Sequence, residues 1–326
     1  MEVIYLKEGE QFYQSKPIVG AIGFFDGLHL GHMALVHEVE RVAKEKNYCK
    51  ALITFDHYPL YVLGKWKEEK CLTSILDRQH ILEKRGFDYL FVIEFTKTVA
   101  ALSPQEFMKH YLVNCGIRHV VCGFDFRFGC QNKGDNQTLK NNPHFDVSVI
   151  DEVLYKGEKI SSTRIRHHLE NGQVQDLNEL LGRYYCIHGN VIHGRHIGHG
   201  LGFPTANIDY DSYFLPCGGV YAVKVYINQD VYLGMCNIGY NPTFHALKKA
   251  SLEVNILDFD QDIYGYDVYV EFHDLIRKEQ AFSSKEALIQ QLTHDQQYVR
   301  DYFKKKIYSS FFVICVYKAP SKLASF

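Results

Sequence analysis

Short apolar runs alternate with amphipathic segments through the first 150 residues, and this alternation is the strongest constraint on the fold. Strand, helix, strand repetition predicts a parallel sheet with helices on both faces, and such sheets bind ligands at the carboxyl ends of their strands. The predicted strands are Ile18 to Phe24, Ala51 to Phe55, Tyr89 to Ile93, His119 to Gly123 and Asp146 to Ile150. The predicted helices are His32 to Lys46, Ser74 to Arg85 and Pro104 to Cys115.

The pattern changes near Tyr184, where Gly, Tyr and Val become frequent and turn signals recur every 8 to 12 residues. This pattern predicts antiparallel strands that form a small barrel. Ser283, with Glu286 three residues later, predicts a capped helix to about Lys306. We expect an α/β chain with one domain over 1–182, a β-barrel domain closed by a helix over 183–306, and a tail over 307–326 of unknown role. The barrel strands are predicted at Tyr185 to Ile192, Gly219 to Ile227, Tyr232 to Ile238, Leu252 to Leu257 and Tyr266 to Phe272, after a short helix at Val174 to Leu181.

Charge and cysteine content narrow the classes of partner. The formal net charge is -2 and the sequence pI is about 6.8, so the chain has no global basic field to hold nucleic acid or an anionic membrane. The 9 cysteines are odd in number and form no CxxC pair, which favours reduced thiols over a disulfide framework or a zinc site. With no leader pattern at the N-terminus, we expect a cytoplasmic protein that binds small molecules.

The segment GFFDGLHLGH directly follows the first predicted strand and has the composition of a phosphate-binding turn. A helix is predicted to open near its end, and a helix N-terminus offers unpaired N–H groups and a positive dipole to a phosphate. His29 and His32 can both donate hydrogen bonds to a phosphoryl group as its charge builds up. An incidental or metal-binding histidine pair would have the same spacing. The glycines, which let the backbone approach a ligand, are Gly23, Gly27 and Gly31.

A second segment, ISSTRIR, combines hydroxyl side chains with a cation. Ser161, Ser162 and Thr163 are good helix caps. The planar guanidinium of Arg166 can reach the β and γ phosphates of a nucleotide. Capping alone would also explain the hydroxyls, and the two roles are compatible.

The second half holds another pair of motifs. In GLGFPTANI, Thr205 and Asn207 lie two residues apart, so in an extended chain both side chains share one face and can hold a magnesium ion or a phosphate. LEVNIL carries Glu253, and most such Glu residues are solvated carboxylates on a strand. The segment HGRHIGH has a histidine at every third position, but its glycines favour a nucleotide-covering loop over a metal site. These histidines are His193, His196 and His199.

The first half resembles the adenylyltransferase module of bacterial bifunctional riboflavin kinase/FAD synthetases, which is similar to the HxGH nucleotidyltransferases. The similarity rests on GFFDGLHLGH, LITFDHYPL, LSPQEF, GFDFRFG and ISSTRIR. It implies a Rossmann-like domain in which the phosphate of FMN attacks the α-phosphorus of ATP, giving FAD and pyrophosphate with magnesium present. It further implies catalytic roles for His29, His32 and Arg166, a flavin-facing loop with Asp125 and Phe126, and ATP or phosphate contacts at Gly23, Asp26, Gly27, Gly31, Ser161, Ser162 and Thr163.

The second half resembles riboflavin kinases over about Tyr184 to Phe303, with GLGFPTANI carrying their PTAN motif. The resemblance implies that Glu253 takes the proton of the riboflavin 5′-hydroxyl as this attacks the γ-phosphorus of ATP. We expect a bifunctional transferase that converts riboflavin to FMN and FMN to FAD, with ATP and Mg²⁺. The implied ligand contacts are magnesium at Thr205 and Asn207, which also contact ATP, phosphate at Gly200 and Gly202, and flavin at Arg277.

Several positions depart from the family pattern. Phe24 stands where Asn is usual, and His57 and Tyr58 stand where Pro and then a basic residue are usual. His199 replaces a more frequent Arg, and Asn255 replaces a more frequent His. These departures keep open the alternative that only one of the two activities is retained. A non-catalytic flavin-binding module is the alternative from another class, and the presence of a base beside the PTAN motif argues against it.

Overall fold

The computed structural model describes residues 1–7, 12, 16–194, 202–239 and 250–308. The chain divides into two compact units, Met1–Ser162 and Thr163–Phe326. The domain limits expected from the sequence, with a boundary at 182, remain a prediction. The cysteines within the described residues are all free thiols.

The first unit is built on a parallel sheet, as the sequence predicts, but the sheet has six strands where five were expected. Its strand order is β1-β4-β3-β2-β5-β6, and each adjacent pair runs parallel. The edge strand β1 was not expected, because its apolar run, Val3 to Leu6, is short and does not alternate with polar residues; in the structure only Leu6 of this strand is buried. The strands are β1 (Glu2–Leu6), β2 (Ile18–Ile22), β3 (Cys49–Phe55), β4 (Tyr89–Ile93), β5 (Ile117–Gly123) and β6 (Asp146–Ile150).

Helices and short turns connect these strands. The helix predicted over Pro104 to Cys115 is an α-helical turn that continues as a π-helix over Lys109–Val113. The α-helices are α1 (Leu30–Lys46), α2 (Pro59–Val62), α3 (Ile75–Glu83), α4 (Lys97–Ala101), α5 (Pro104–Met108) and α6 (Asn136–Lys140), with a 3₁₀ turn at Cys130–Asn132 and a small hairpin of β7 (Leu154–Tyr155) and β8 (Glu158–Lys159).

The strand order reverses between β2 and β5. The chain passes from β2 to β3 on one side, while β5 pairs with β2 on the other side, with Ala21 opposite Val121. Ligands of open α/β sheets bind outside the carboxyl ends of the strands at such a reversal. The segments that leave β2 and β5 are the histidine turn (residues 23–32) and the loop that carries Asp125.

The second unit is a closed antiparallel barrel, as predicted, with strand order β10-β13-β12-β11-β14-β9. The cap of its final helix differs from the prediction: the Ser284 hydroxyl, not that of Ser283, accepts from the Ala287 N–H at 3.1 Å. Strand β10 was not predicted, because it is short and follows a proline. The elements are α7 (Ser162–Glu170), α8 (Val174–Leu181), β9 (Tyr185–Ile192), β10 (Ala206–Asp209), β11 (Gly219–Ile227), β12 (Asp230–Gly239), β13 (Ser251–Ile256), β14 (Asp267–Lys278) and α9 (Lys285–Tyr308).

Helix α9 covers one outer face of the barrel. Val299 and Phe303 of this helix are buried in one apolar cluster with Val220, Ala222 and Met235 of the strands. Burying such side chains stabilises the fold by about 1.5–3 kcal/mol each. The helix therefore packs against the outward-facing residues of β11 and β12.

Candidate active sites

The histidine turn has an unusual backbone. Phe25 and Leu28 adopt left-handed conformations, with φ of 54° and 38°, although both side chains are fully buried. Gly27, between them, has φ of 88°. A non-glycine residue in this region costs about 1–3 kcal/mol and persists only where its surroundings impose it. The turn is thus held in a strained shape by its packing.

The two histidines of this turn lie against each other. His29 is the N-cap of α1, and its Nδ1 accepts from the His32 N–H at 3.2 Å. The two rings stack with centroids 3.7 Å apart and planes 11° from parallel. Because Nδ1 of His29 accepts, the proton of its neutral ring lies on Nε2, which is therefore a donor. The structure brings together the pair that the spacing predicted, and their catalytic role stays a prediction.

The start of ISSTRIR meets the histidine turn within the first unit. The Ser162 hydroxyl donates to the Asp26 carbonyl at 2.8 Å, across 136 residues of sequence. A Cβ added at Gly31 would lie 3.6 Å from the Ile160 carbonyl and 3.1 Å from the His29 ring. The contact with Ile160 would be an ordinary one, whereas the contact with the His29 ring would be tight, so glycine at position 31 makes room for that ring. Ser161 directly precedes α7.

Two further residues of that motif belong to the second unit. Thr163 is exposed in the first turn of α7. The guanidinium of Arg166, also on α7, lies 5.9 Å from the ring centroid of Phe214. Their contribution to an adenylyltransferase site stays a prediction.

Asp26 faces the protein interior. Its carboxylate is 2% exposed and accepts from the backbone N–H groups of Leu72 and Thr73 at 2.7 and 3.2 Å. Arg78, which was not among the residues predicted from the sequence, lies 3.8 Å away and is also buried. No short motif marks Arg78, which is one of three Lys or Arg residues on the predicted helix Ser74 to Arg85.

The loop after β5 carries the predicted flavin-facing residues. Asp125 is exposed and accepts from Lys159 Nζ at 2.6 Å. Phe126 packs against the core and stacks on Phe128, with ring centroids 5.6 Å apart. Phe124, which was not predicted as a site residue, is 43% exposed and lies 4.6 Å from Lys159 Nζ. An exposed aromatic ring beside Asp125 is a candidate to stack on a flavin.

His57 and Tyr58 both hydrogen-bond to the carboxylate of Glu69. Glu69 accepts from the Tyr58 N–H at 2.6 Å and its other oxygen lies 2.7 Å from His57 Nδ1. This hydrogen bond, supported by the charges of Asp56 and Glu69, raises the pKa of His57. Glu69 therefore fixes the loop in which the chain departs from the family pattern.

In the second unit, four polar residues and one valine lie directly opposite one another on neighbouring strands and so form one row across the barrel wall. Three of the polar residues, Asn207, Glu253 and Arg277, were predicted as site residues. Arg277 pairs with Val220, Val220 with Asn237, Asn237 with Glu253, and Glu253 with Asn207, across five adjacent strands. Residues directly opposite each other share a face, with Cβ atoms about 5 Å apart. Asn237 was named only within a family motif, so its place beside Glu253 is a finding of the tertiary structure.

The Asn207 side chain of the PTAN segment lies against Gly194. A Cβ added at Gly194 would overlap the Asn207 amide, so glycine is required where that side chain lies. Thr205 is partly exposed just before β10, and Gly202 is exposed with φ of 82°. Gly200, the other predicted phosphate contact, lies outside the described residues.

Asn255, one of the departures noted from the sequence, is held by two hydrogen bonds. It is 3% exposed, donates to the Pro204 carbonyl at 2.7 Å and accepts from Gln296 Nε2 of α9 at 3.0 Å. This side chain ties the PTAN segment to the closing helix. His199, the other departure in this half, lies outside the described residues.

The remaining predicted residues of this half have protein partners. Arg277 Nε donates to Asp295 of α9 at 2.9 Å, and its guanidinium lies 5.4 Å from the Phe282 ring. Cys236, which was not predicted as a site residue, is fully buried, and this burial, with a smaller contribution from Glu253, raises the pKa of its thiol well above the usual value. His193 stacks on Tyr264 with centroids 3.8 Å apart, and His196 and His199 lie outside the described residues.

Metal clusters and membrane spans are both missing from the described part of the chain. No group of three or more His, Cys, Asp or Glu side chains in these ranges is placed to hold a metal ion. Within the same ranges, no helix has both the length and the apolar character needed to cross a bilayer.

Comparison with a solved structure supports the architecture. The crystal structure of a protein from Streptococcus pneumoniae named "Macrolide-efflux Protein" superposes with a TM-score of 0.85 at 33% identity, covering 91% of this chain and 98% of that one. The superposition therefore extends through both units.

Comparison with protein families and curated relatives identifies both halves. The FAD synthetase family matches residues 12–164, and the riboflavin kinase family matches residues 181–303. The bifunctional riboflavin kinase/FMN adenylyltransferase of Bacillus subtilis is 40% identical over 296 residues, covering 89% of this chain and 93% of the relative. The relatives of the same name from Listeria monocytogenes and Escherichia coli K12 are 40% and 33% identical, over 88% and 86% of this chain. The chain carries one domain of each type and belongs to the family of bifunctional riboflavin kinase/FMN adenylyltransferases.

Proposed function

We propose that this chain phosphorylates riboflavin to FMN in its barrel unit and adenylylates FMN to FAD at the histidine turn. The observation that carries the kinase assignment is the pairing of Glu253 with Asn207 on one side and Asn237 on the other. Glu253 is partly exposed between these two amides, so its carboxylate can accept a proton there, as the phosphorylation of a hydroxyl group requires.

In the kinase reaction, Glu253 accepts the proton of the riboflavin 5′-hydroxyl as that oxygen attacks the γ-phosphorus of ATP. The new O–P bond forms as the bond from the γ-phosphorus to the β,γ-bridging oxygen breaks, and ADP leaves. Thr205 and Asn207 orient the phosphates, so the protein contributes positioning and a proton acceptor.

Magnesium fits the donor set of this site. The Thr205 hydroxyl and the Asn207 amide oxygen are hard oxygen donors of the kind that Mg²⁺ takes together with substrate phosphates. Held by these two residues, Mg²⁺ would neutralise phosphate charge during the transfer. Gly194, which makes room for the Asn207 amide, sets the position of one of the two donors.

In the adenylyltransferase reaction, a phosphate oxygen of FMN attacks the α-phosphorus of ATP. The bond from that phosphorus to the α,β-bridging oxygen breaks, and pyrophosphate leaves. His29 and His32 donate to the oxygens on which charge develops, and the helix N-terminus beside them adds its dipole. Arg166 stabilises the β and γ phosphates, and Phe124, Asp125 and Phe126 bind the flavin.

The test is a time course with the purified chain, riboflavin, ATP and Mg²⁺, with riboflavin, FMN and FAD separated at each point. FMN should appear first and FAD should follow. The double variant His29→Ala, His32→Ala should accumulate FMN, because loss of a preorganised donor slows such transfers about 10²- to 10³-fold. Formation of one product alone would leave a monofunctional enzyme, and flavin binding without turnover would leave a binding module.

We also propose that the chain works in the cytoplasm on small-molecule substrates alone. The net charge of -2 supports this, because it provides no attraction for nucleic acid or an anionic bilayer. Binding of the chain to DNA-cellulose or to anionic vesicles at physiological salt would contradict this proposal.

A further inference from the structure

A buried guanidinium lies beneath the histidine turn. Arg78 of α3 is 3% exposed, and its Nη1 donates to the Thr54 hydroxyl at 2.9 Å. Its Nη2 donates to the Thr73 carbonyl at 3.2 Å, and its Nε lies 3.5 Å from the Thr73 hydroxyl. The whole fork of the side chain is therefore directed at two threonines, one at the end of β3 and one just before α3.

Each of these threonines also binds the histidine turn. The Thr54 hydroxyl donates to the Phe24 carbonyl at 2.8 Å, and the Thr73 hydroxyl accepts from the Gly27 N–H at 2.9 Å. The two threonines thus hydrogen-bond to the backbone at both ends of the stretch 24–27, and Arg78 contacts both threonines.

The carboxylate of Asp26 completes the same network. It lies 3.8 Å from Arg78 Nη2 and accepts from the N–H groups of Leu72 and Thr73. The ring of Phe24 covers the guanidinium, with the guanidinium carbon 5.2 Å from its centroid. Residues 24, 26 and 27 of the turn are therefore each tied to Arg78, either directly or through one threonine hydroxyl.

Stability alone is a poor explanation for this arrangement. Burying a cation and a carboxylate carries a desolvation cost that an apolar side chain of the same volume would not have. The rigid guanidinium fork, in contrast, can hold several points of one backbone segment in place, so it can define the conformation of that segment. The segment it fixes contains the strained Phe25 and leads directly to Leu28 and His29.

We propose that Arg78 is a positioning residue for FMN adenylylation: through Thr54, Thr73 and Asp26 it fixes the backbone of residues 24–27 and so places His29. This inference rests on the proposed role of the histidine pair. A misplacement of about 1 Å costs on the order of 10²-fold in rate. A loss of positioning should therefore appear in kcat for FMN adenylylation.

The test uses the full chain with FMN and ATP as substrates and compares Arg78→Met with Arg78→Lys. For Arg78→Met we expect kcat to fall about 10- to 100-fold with KM for FMN within about threefold of wild type. Lysine supplies the charge without the fork, so Arg78→Lys should recover part of the rate. Riboflavin phosphorylation by the same preparation is the internal control and should keep its wild-type rate.

Thr54→Val keeps Arg78 and the packing volume but removes the hydroxyl that links the Arg78 guanidinium to the Phe24 carbonyl. This variant therefore tests the positioning role of Arg78 if Arg78→Met does not fold. It should also lower kcat selectively. His29→Ala is the reference for the site itself: if it leaves FAD formation intact, the proposed histidine site is wrong. If His29→Ala abolishes FAD formation while folded Arg78→Met, or Thr54→Val in its place, keeps the wild-type kcat, the proposal for Arg78 is wrong. An equal loss of both activities in these variants would also overturn it.

Discussion

The rings of Phe24 and Tyr58 lie in contact, with centroids 3.8 Å apart and planes at 35°. Both residues stand at positions where the chain departs from the pattern usual in its family. The two departures noted from the sequence are therefore neighbours in the structure, because each ring packs against the other. Tyr58 is 8% exposed and continues the contact to Trp66, at 5.0 Å between centroids.

This contact predicts that the two positions are energetically coupled. Phe24→Asn and Tyr58→Lys should each lower the free energy of unfolding by about 1–3 kcal/mol. The double variant should lose less than the sum of the two, with a coupling of about 0.5–1.5 kcal/mol. Urea unfolding of the four proteins measures this cycle. Tyr5→Lys is the control, because Tyr5 is exposed on the edge strand β1, three strands away from β2; its effect on the free energy of unfolding should simply add to that of Phe24→Asn. If the effects of Phe24→Asn and Tyr58→Lys also simply add, the prediction is wrong.

Glu253→Gln should stop FMN formation while added FMN is still converted to FAD. The amide keeps the shape of the side chain but cannot accept the proton, and loss of a general base costs about 10²- to 10⁴-fold. The two half-reactions are measured separately, with riboflavin or FMN as substrate. Asp230→Asn, an exposed carboxylate at the start of β12, is the control and should keep both rates. Kinase turnover near wild type in Glu253→Gln would remove Glu253 from the mechanism.

Gly194→Ala should impair the kinase through Asn207. The added methyl group would occupy the position of the Asn207 amide, so that side chain must move away from the row it shares with Glu253. We expect kcat/KM for ATP in riboflavin phosphorylation to fall about 10- to 100-fold, with FMN adenylylation unchanged. Adding Gly194→Ala to Asn207→Ala should cause little further loss. A full second loss in the double variant would show that Gly194 acts by another route.

His273 should make the stability of the barrel unit depend on pH. It is 1% exposed, with Nε2 2.7 Å from Glu271 Oε1 and its ring 3.8 Å from that of Tyr184. Burial lowers the pKa of His273 below its usual 6.5; Glu271 opposes this effect, and Lys224 and Lys306 add to it. The unfolded chain then binds the proton more readily than the folded one. Stability is full above pH 6.5 and is lost as the pH falls below it.

The urea midpoint at pH 7.5, 6.5 and 5.5, followed on the unfolding of the barrel, measures this effect. The slope due to this one residue is at most about 1.4 kcal/mol per pH unit. His273→Gln keeps a hydrogen-bond donor and does not titrate, so it should flatten the dependence. His144→Gln, at an exposed site in the first unit, should leave the slope unchanged. A slope that survives in His273→Gln would assign it to other groups.

A piece of the chain that starts at Thr163 should be more stable than one that starts at Arg183, and both should form FMN but not FAD. Asn178 of α8 accepts from the Tyr185 N–H at 2.7 Å and donates to the Phe272 carbonyl at 3.0 Å. Removing α8 breaks both hydrogen bonds, at about 1–3 kcal/mol for each group that stays buried. Urea midpoints of the two pieces provide the comparison. Equal midpoints would show that α8 contributes nothing to the barrel.

The sequence determined the local elements wherever one period dominated. The helix over Val174–Leu181 and the strands over Tyr185–Ile192 and Gly219–Ile227 have the predicted limits, because their apolar patterns are long and bounded by turn residues. The motif residues His29, His32, Thr205, Asn207 and Glu253 were also available from the sequence, since spacing along one turn or strand is a local property. Strand β1 was missed because its short apolar run, Val3 to Leu6, does not alternate and so has no period that distinguishes a strand from a helix.

Only the tertiary structure decided which distant residues meet. Strand order placed the histidine turn and the Asp125 loop at the same reversal of the sheet, and barrel register placed Asn237 beside Glu253. A register shift of one residue would turn Glu253 to the other face, and nothing in the spacing of two separate strands fixes that register. Arg78 carried no recognisable pattern because its role depends on Thr54, Thr73 and Asp26 converging from three segments. Such convergence arises from packing, which acts between residues far apart in sequence.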